Sequence, residues 1–195
     1  MRVSSLKERV DRLESDLLAK PPRISAYQDL PFAILRYDAA DEWDLRRQMG
    51  LLINRLGNQG KEAVPISLAE LFWQALDESE GVEVLARMER ERGYERAQQQ
   101  ATVYLTDPDW SPLPDLLARR LAELDPARQV AFLWRTAALA PALYHTSKLL
   151  DEMQGRTKVP TILFYPGSLD GPTGLRFMGL PDHETPGNYR VKIYD

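Results

Sequence analysis

The feature that most constrains this chain is an apolar run at residues 159–165, VPTILFY. It lacks the alternation of polar and apolar residues that is typical of half-exposed strands, so it predicts a strand that is covered on both faces. Two more short apolar runs, at residues 31–36 and 129–134, predict further strands of the same sheet. The chain is therefore expected to fold around a sheet whose two faces are both buried.

Helical patterns lie between these runs. In residues 39–56, Leu45, Met49, Leu52 and Leu56 recur at helical spacing, and Asp38 is placed to cap that helix. Further helices are predicted from residue 68, capped by Ser67 with Glu70, at residues 116–124 and at residues 142–153. Alternation of strands and helices predicts an α/β fold with a mainly parallel sheet flanked by helices.

The remaining segments complete the predicted fold. Residues 62–67 form a strand whose Pro65 disfavours a fully paired central position. Residues 77–125 are charged and form a helical region. A loop rich in glycine and proline follows from residue 166 to residue 174, and residues 175–178 and 189–194 form a C-terminal antiparallel strand pair at an edge.

Residues 4–20 predict an amphipathic helix that starts with a capping box of Ser5 and Glu8 and stops at Pro21. Packing of this helix on the edge of the domain is one interpretation, and an arm for a dimer or another partner is the other. We therefore divide the chain into an N-terminal helix, 1–22, and a single α/β domain, 23–195.

Composition restricts the partners and the compartment. The net charge is −4 and the pI about 5.4, whereas nucleic-acid binders usually carry a basic footprint, so free DNA is not the first partner expected. Cysteine is absent, which removes disulfides and thiolate metal sites. We find no signal-peptide core and no run long and apolar enough for a membrane span, which predicts a cytoplasmic protein with no membrane partner.

Familiar catalytic patterns are missing from the sequence. It has no Walker loop, no strand–GxGxxG–helix unit and no GxSxG elbow. Its two histidines, His145 and His183, are far apart, and Pro108 makes the Asp107–Asp109 pair typical of a turn. His145 could be a general base on the predicted helix, but a structural hydrogen bond is the other interpretation. We predict no enzyme activity, no cofactor and no metal.

A candidate binding site follows from the strand ends, because ligands of open α/β sheets gather beyond the carboxyl ends of the strands. If the predicted strands are parallel, a strand-end rim brings together two guanidinium groups and two phenols. These belong to Arg36, Tyr37, Arg135 and Tyr165. Arginine forks suit carboxylate or phosphate oxygens, so the rim is a candidate anion-binding or partner-binding site. Alternatively, Arg36 and Arg135 pair with local acids such as Asp38 and hold loops in place.

The last strands offer a second candidate. Arg176, Arg190 and Lys192, with Phe177, Tyr189 and Tyr194, could form a basic and aromatic face for single-stranded nucleic acid. Strand alternation places Arg190, Lys192 and Tyr194 on one side. The other interpretation is a charged outer face of an edge strand, which discourages aggregation.

Several long motifs resemble those of one known family, the BrxB proteins of BREX phage-defence systems. They occur in the order expected of that family and extend along nearly the whole chain. They are LPFAILRY at 30–37, LWR at 133–135 with LAP at 139–141 and SKLL at 147–150, VPTILFYPG at 159–167, LRFMGL at 175–180, and NYRVKIY at 188–194. At position 145 the family pattern would have a basic, arginine-like residue, and this chain has His145 instead, so no role is carried over to this helix.

The resemblance implies a component of a BREX system, which couples DNA methylation of the host to blocking of phage replication. It implies a small non-catalytic assembly factor with no transferable catalytic residues. The first partner it implies is the phosphatase-like subunit PglZ, with other BREX proteins next and DNA only within the complex. A nucleic-acid-binding module of the same system is the first alternative, and an enzyme with an unrecognised strand-end site is the second.

Overall fold

The computed structural model of the protein describes residues 4–24, 30–140, 143–170, 174–178 and 190–195. Its strands are β1 Phe32–Tyr37, β2 Glu62–Ser67, β3 Gln129–Trp134, β4 Thr161–Asp170, β5 Gly174–Phe177 and β6 Lys192–Tyr194. Its α-helices are α1 Leu6–Leu18, α2 Glu42–Asn58, α3 Leu68–Asp77, α4 Val82–Arg92, α5 Tyr94–Thr106, α6 Leu113–Ala122 and α7 Thr146–Glu152. Short 3-10 helices cover Ala39–Asp41 and Thr136–Leu139.

The sheet has the order β2-β3-β4-β1-β6, and neighbouring strands along this path are parallel. This confirms the α/β class and the mainly parallel sheet. The predicted C-terminal antiparallel pair needs correction. β5 pairs with β4 and is antiparallel to it. β6 pairs with β1, on the side of β1 away from β4, and is parallel to it. β5 and β6 therefore do not pair with each other.

The bounds of β2 and β3 agree with the predicted segments 62–67 and 129–134. β2 forms an edge of the sheet. Proline is tolerated in an edge strand, because the hydrogen bond that its missing N–H would donate is not needed on the open side. β1 begins one residue later than predicted and includes Tyr37. Its side chains are all buried, which agrees with a strand covered on both faces.

β4 corrects the predicted loop that begins at residue 166. The strand continues through Pro166 and Gly167 to Asp170 and pairs with β5 beyond the end of β1. A β-carbon at Gly167 would lie 2.1 Å from the backbone oxygen of Arg176. Glycine therefore permits the close approach of the two strands, and a sequence rich in glycine and proline is extended here because a hairpin partner is present.

Two apolar clusters cover the two faces of the sheet. One contains α1 and α2, including Leu13 and Leu52, and packs on Leu35 of β1. The other contains α3, α6 and α7, including Leu149, and packs on Ile34 of the same strand. The connections after β1 and after β3 thus leave the sheet on opposite faces. In such a topology a crevice opens above the strand between them, here β4.

The N-terminal helix α1 forms as its pattern predicts. Ser5 and Glu8 make both hydrogen bonds of the capping box. Its apolar residues are buried against α2 and the sheet rather than left for a partner; they are Leu6, Val10, Leu13 and Leu17. The division of the chain at residue 22 stays a prediction.

Two predicted caps differ from the structure. Asp38 makes no capping hydrogen bond, since its carboxylate pairs with Arg36 instead. Ser67 accepts a hydrogen bond from the Glu70 N–H, which is one half of the predicted box. The helix predicted at 142–153 is shorter and begins at Thr146, with His145 as its N-cap residue; residues 141 and 142 lie outside the described residues.

The charged segment predicted as a helical region contains α4, α5 and α6. Gly81 and Gly93 begin α4 and α5 with positive φ angles of 84° and 89°, which non-glycine residues adopt at a cost. α6 buries Leu113, Leu117 and Leu121 against the sheet. α4 buries only Leu85, so this helix is an outer layer of the domain.

Candidate functional site

A crevice lies at the carboxyl ends of the parallel strands, where the topology predicts one. We call it the strand-end crevice; its volume is about 420 Å³. Tyr37 ends β1 and Arg135 follows the end of β3, while Pro166 lies within β4 at the position that pairs with Tyr37. The other lining residues are Ala39, Glu42, Arg46, Ala69, Ala137, Ala138 and Met178. The strand-end rim inferred from the sequence thus contributes Tyr37 and Arg135 to a concave site.

Glu42 connects the polar groups on one wall of the crevice. The hydroxyl of Tyr37 donates a hydrogen bond to Glu42 Oε2 at 2.5 Å. Arg46 Nε donates to Glu42 Oε1 at 2.9 Å, one helical turn along α2. Burial, followed by the hydrogen bond to Glu42, raises the pKa of the Tyr37 phenol far above its ordinary value. The phenol is therefore a permanent donor at neutral pH, and both carboxylate oxygens of Glu42 accept hydrogen bonds.

Aromatic rings lie against the two arginines that line the crevice. We call Trp43, Arg46, Trp134 and Arg135 the tryptophan–arginine patch. The guanidinium of Arg46 lies 4.9 Å from the ring centroid of Trp43 and 5.5 Å from that of Trp134. Both distances fall within the range of cation–π attraction. Trp43 is 77% exposed, so its ring is presented to solvent rather than to the core.

Arg135 is the exposed member of the predicted rim. Its guanidinium lies 4.6 Å from the ring centroid of Trp134. Within the described part of the chain, no carboxylate lies at ion-pair distance from it, so the predicted local acid is not found there. Its backbone is left-handed, with φ 58° and ψ 36°, and it begins the 3-10 helix at Thr136. The positive charge of Arg135 is therefore available at the crevice.

Arg36, in contrast, is structural. It is 5% exposed, and its guanidinium pairs with Asp195 after β6 and with Asp38 at 2.9 Å. It also donates to the Gly167 carbonyl oxygen at 3.0 Å. These contacts join β1, β4 and the segment after β6, which agrees with the interpretation that Arg36 holds loops in place.

Tyr165 and Arg176 lie away from the crevice lining. The Tyr165 ring is fully buried and packs edge-on against Phe177, with centroids 5.5 Å apart. Strand alternation explains this placement, since Tyr165 faces the cluster that contains α3. Arg176 on β5 pairs with Asp170 of β4 at 3.4 Å across the hairpin.

Two residues of the basic face proposed for the last strands contact α1. Lys192 Nζ lies 2.5 Å from Asp16 Oδ2, and the Tyr194 hydroxyl donates to the same oxygen at 2.9 Å. Lys192 also donates to the Arg23 carbonyl oxygen at 3.1 Å. Arg190 is exposed, and Tyr189 lies outside the described residues. The ammonium group of Lys192 and the hydroxyl of Tyr194 thus both contact Asp16 of the same chain.

The histidines and acidic pair do not assemble with the crevice. His145 precedes α7 rather than lying on it, and His183 lies outside the described residues. Asp107 accepts a hydrogen bond from the Asp109 N–H at 2.9 Å, as in the predicted turn. Among the residues that the structure describes, no group of three or more His, Cys, Asp or Glu side chains could hold a metal ion.

Sequence reasoning missed Trp43, Glu42 and Arg46. A signal for Trp43 was present, because it falls outside the apolar stripe of α2 formed by Leu45, Met49 and Leu52. A tryptophan on the polar face of a helix indicates a surface aromatic. The contacts of Arg46 with Trp134, which is distant in sequence, had no comparable signal.

No described helix of the protein has the length and apolar character needed to cross a membrane.

The comparisons with curated proteins and with solved structures find no significant match. A family model described as BREX protein BrxB matches residues 64–193, which is most of the chain. The matched region includes three of the resembling blocks whole and NYRVKIY up to residue 193, and it excludes LPFAILRY at 30–37. It also includes Arg135 and Met178 of the crevice and Trp134 of the tryptophan–arginine patch, whereas Trp43 and Arg46 precede it. The chain therefore belongs to the BrxB family and is a component of a BREX phage-defence system.

Proposed function

We propose that this protein is a non-catalytic assembly subunit of its BREX system and that it binds the PglZ-like subunit through the strand-end crevice and the tryptophan–arginine patch. The observation that carries the proposal is Trp43, a large apolar side chain that is 77% exposed beside a concave site. Tryptophan, tyrosine and arginine are the residues most enriched among binding hot spots, and all three occur here.

The patch is also arranged to bind without large reorganisation. Cation–π contacts hold Arg46 between two rings, and the Tyr37–Glu42–Arg46 chain of hydrogen bonds fixes the wall of the crevice. A pre-ordered surface loses less side-chain entropy on binding, which favours affinity. The neighbouring β6 face is a weaker candidate, because Lys192 is paired with Asp16.

A non-catalytic role is supported by how the polar groups of the crevice are used. A general base needs an acceptor that is free for the substrate's proton. Both oxygens of Glu42 accept hydrogen bonds from protein donors, and the phenol of Tyr37, whose pKa is raised by burial, donates one of them. These groups are suited to shaping a binding surface. DNA contact within the complex stays a prediction.

The test is to mix the purified chain with the PglZ-like subunit of its own BREX system and to measure mass by size-exclusion chromatography with light scattering. We expect one species with the summed mass of both proteins. Trp43→Ala should separate the species, whereas Tyr94→Ala, which removes an aromatic side chain that is 59% exposed elsewhere on the molecule, should leave the complex intact. Two separate peaks for the unmodified proteins would remove PglZ as a direct stable partner.

A further inference from the structure

The strand-end crevice carries a positive charge that the described chain does not neutralise. It is lined by two arginines, and the charge of Arg46 is opposed by Glu42 at 2.9 Å. Arg135 is stacked on Trp134 but meets no carboxylate within the described residues. The crevice is thus locally positive on a protein whose net charge is −4. Such a site attracts an anionic group, while the rest of the molecule repels one.

Next to this charge the crevice is apolar and made of small side chains. Ala69 comes from the first turn of α3, Ala137 and Ala138 from the 3-10 helix after β3, and Pro166 from β4. Small side chains leave space above them, and the volume of about 420 Å³ falls within the roughly 300–1,000 Å³ range of ligand pockets. The lining therefore suits an apolar side chain placed beside the anionic group.

Backbone conformation points to the same place. Among the described residues, Arg135 and Met178 are the non-glycine residues with positive φ, at 58° and 53°. Both line the crevice. Left-handed backbone is unfavourable for residues with a β-carbon, and residues held in it concentrate at binding sites. Glycine would relieve this conformation at position 135, where the chain carries an arginine instead.

We infer that the strand-end crevice binds an acidic side chain of the partner protein together with an adjacent apolar side chain. The carboxylate pairs with the guanidinium of Arg135, and the apolar side chain packs on Ala69, Ala137 and Ala138 beside it. Arginine suits this role because its planar fork binds a carboxylate with two parallel hydrogen bonds while one face stays stacked on the ring. The inference rests on the proposed function for the source of the segment, but the chemistry of the crevice is tested separately.

The first arm of the test uses two blocked dipeptides, N-acetyl-Asp-Leu-amide and N-acetyl-Asn-Leu-amide, titrated into the full chain. The four tryptophans give indole N–H signals in NMR spectra that report on single rings. We expect the Asp dipeptide to shift the Trp134 and Trp43 signals saturably in the millimolar range. Trp110, which packs on Tyr104 away from the crevice, should not respond. The Asn dipeptide should bind about tenfold more weakly, because it lacks the charge-assisted bonds.

Arg135→Gln should abolish the difference between the two dipeptides, and its exposed position leaves the fold intact. Equal affinity for both dipeptides, absence of a saturable shift, or discrimination that survives Arg135→Gln would overturn the inference. The second arm titrates the PglZ-like subunit. If the Asp dipeptide binds more tightly than the Asn dipeptide but the subunit does not bind, the inference about the crevice is supported and the PglZ-like subunit is ruled out as the partner. If the subunit binds but the two dipeptides bind equally, the proposed function is supported and this inference is wrong.

Discussion

The guanidinium of Arg135 lies 4.6 Å from the centroid of the Trp134 ring, at the carboxyl end of β3. Both residues belong to the region that matches the BrxB family. The stack orients a charged side chain that is otherwise exposed at the mouth of a crevice. Arg135 is exposed and forms no ion pair with the described residues, whereas Arg36 is buried and pairs with Asp38 and Asp195.

Replacing Arg135 by glycine should weaken binding without weakening the fold. The φ angle of 58° suits glycine, so Arg135→Gly should keep or raise the free energy of unfolding by about 1 kcal/mol. Arg135→Ala keeps the unfavourable conformation and should gain nothing. Both variants should lose affinity for the PglZ-like subunit, as measured by calorimetric titration beside urea unfolding. A glycine variant that unfolds more easily than the alanine variant would contradict this account of the backbone.

Removing the exposed ring of Trp43 should affect binding rather than stability. Because the side chain is 77% exposed, Trp43→Ala should change the free energy of unfolding by less than about 0.5 kcal/mol. A hot-spot residue of this kind contributes about 2 kcal/mol, so affinity for the partner should fall roughly 30-fold. Leu51→Ala, on the same helix and 45% exposed, is the matched control and should leave affinity unchanged.

Arg36→Ala should destabilise the fold. The buried guanidinium pairs with the exposed Asp38 and the half-buried Asp195 and donates to the buried Gly167 carbonyl, so its removal takes a donor from that buried carbonyl oxygen. Losing a charged donor to a buried carbonyl oxygen costs about 1.5–3 kcal/mol, and the two carboxylates left behind stay in contact with water. The urea midpoint should fall accordingly, and any loss of phage defence in this variant should follow the loss of folded protein. Full defence loss with unchanged stability would show that Arg36 has a direct role instead.

Gly167→Ala should also destabilise the protein, because the new β-carbon would lie 2.1 Å from the Arg176 backbone oxygen and 2.8 Å from the Tyr165 ring. Backbone cannot yield as a flexible side chain does, so the β4–β5 hairpin must open. Forced overpacking of this kind costs about 1–3 kcal/mol. Gly50→Ala, at a position with open space around it, is the control and should be neutral or stabilising. Equal stability of the two variants would argue against the close approach of β4 and β5.

The pairing of Asp16 with β6 predicts a specific acid dependence. Burial alone would raise the pKa of Asp16, but hydrogen bonds from Lys192 and Tyr194 outweigh it and hold the pKa below its ordinary value of 3.8. A carboxylate with a lowered pKa in the folded state contributes stability that is present above the unfolded pKa and lost as pH falls through the folded one. Urea unfolding from about pH 7 to about pH 3 should show this loss in the unmodified chain and a shallower loss in Asp16→Asn.

Local signals predicted much of this fold. Residues 62–67 and 129–134 became strands with the predicted bounds, because each is a compact apolar run with turn residues or charges at its ends. β4 was predicted too short, since Pro166 and Gly167 indicate a loop unless the partner strand β5 is known. The direction of β6 was predicted wrongly for a similar reason. The residues of a strand do not indicate which other strand it pairs with, and β6 pairs with β1.

The candidate site was predictable only in part. The strand-end argument placed Tyr37 and Arg135 on one rim, and both residues line the crevice; their binding role stays a prediction. The burial of Arg36 depends on Asp195, which is 159 positions away in the sequence, so no local pattern reveals it. Tyr165 is buried because of its side of β4, which is fixed once β4 pairs with β1 in register. Long-range pairing therefore decided which rim residues are exposed.

The most direct test of the central claim is hydrogen–deuterium exchange on the chain alone and in complex with the PglZ-like subunit. If the partner binds at the strand-end crevice, amides in residues 39–47 and 134–139 should exchange more slowly in the complex, while those in residues 190–195 should be unchanged. Protection confined to residues 190–195, with the crevice segments unaffected, would contradict the account and place the interface on the face of β6.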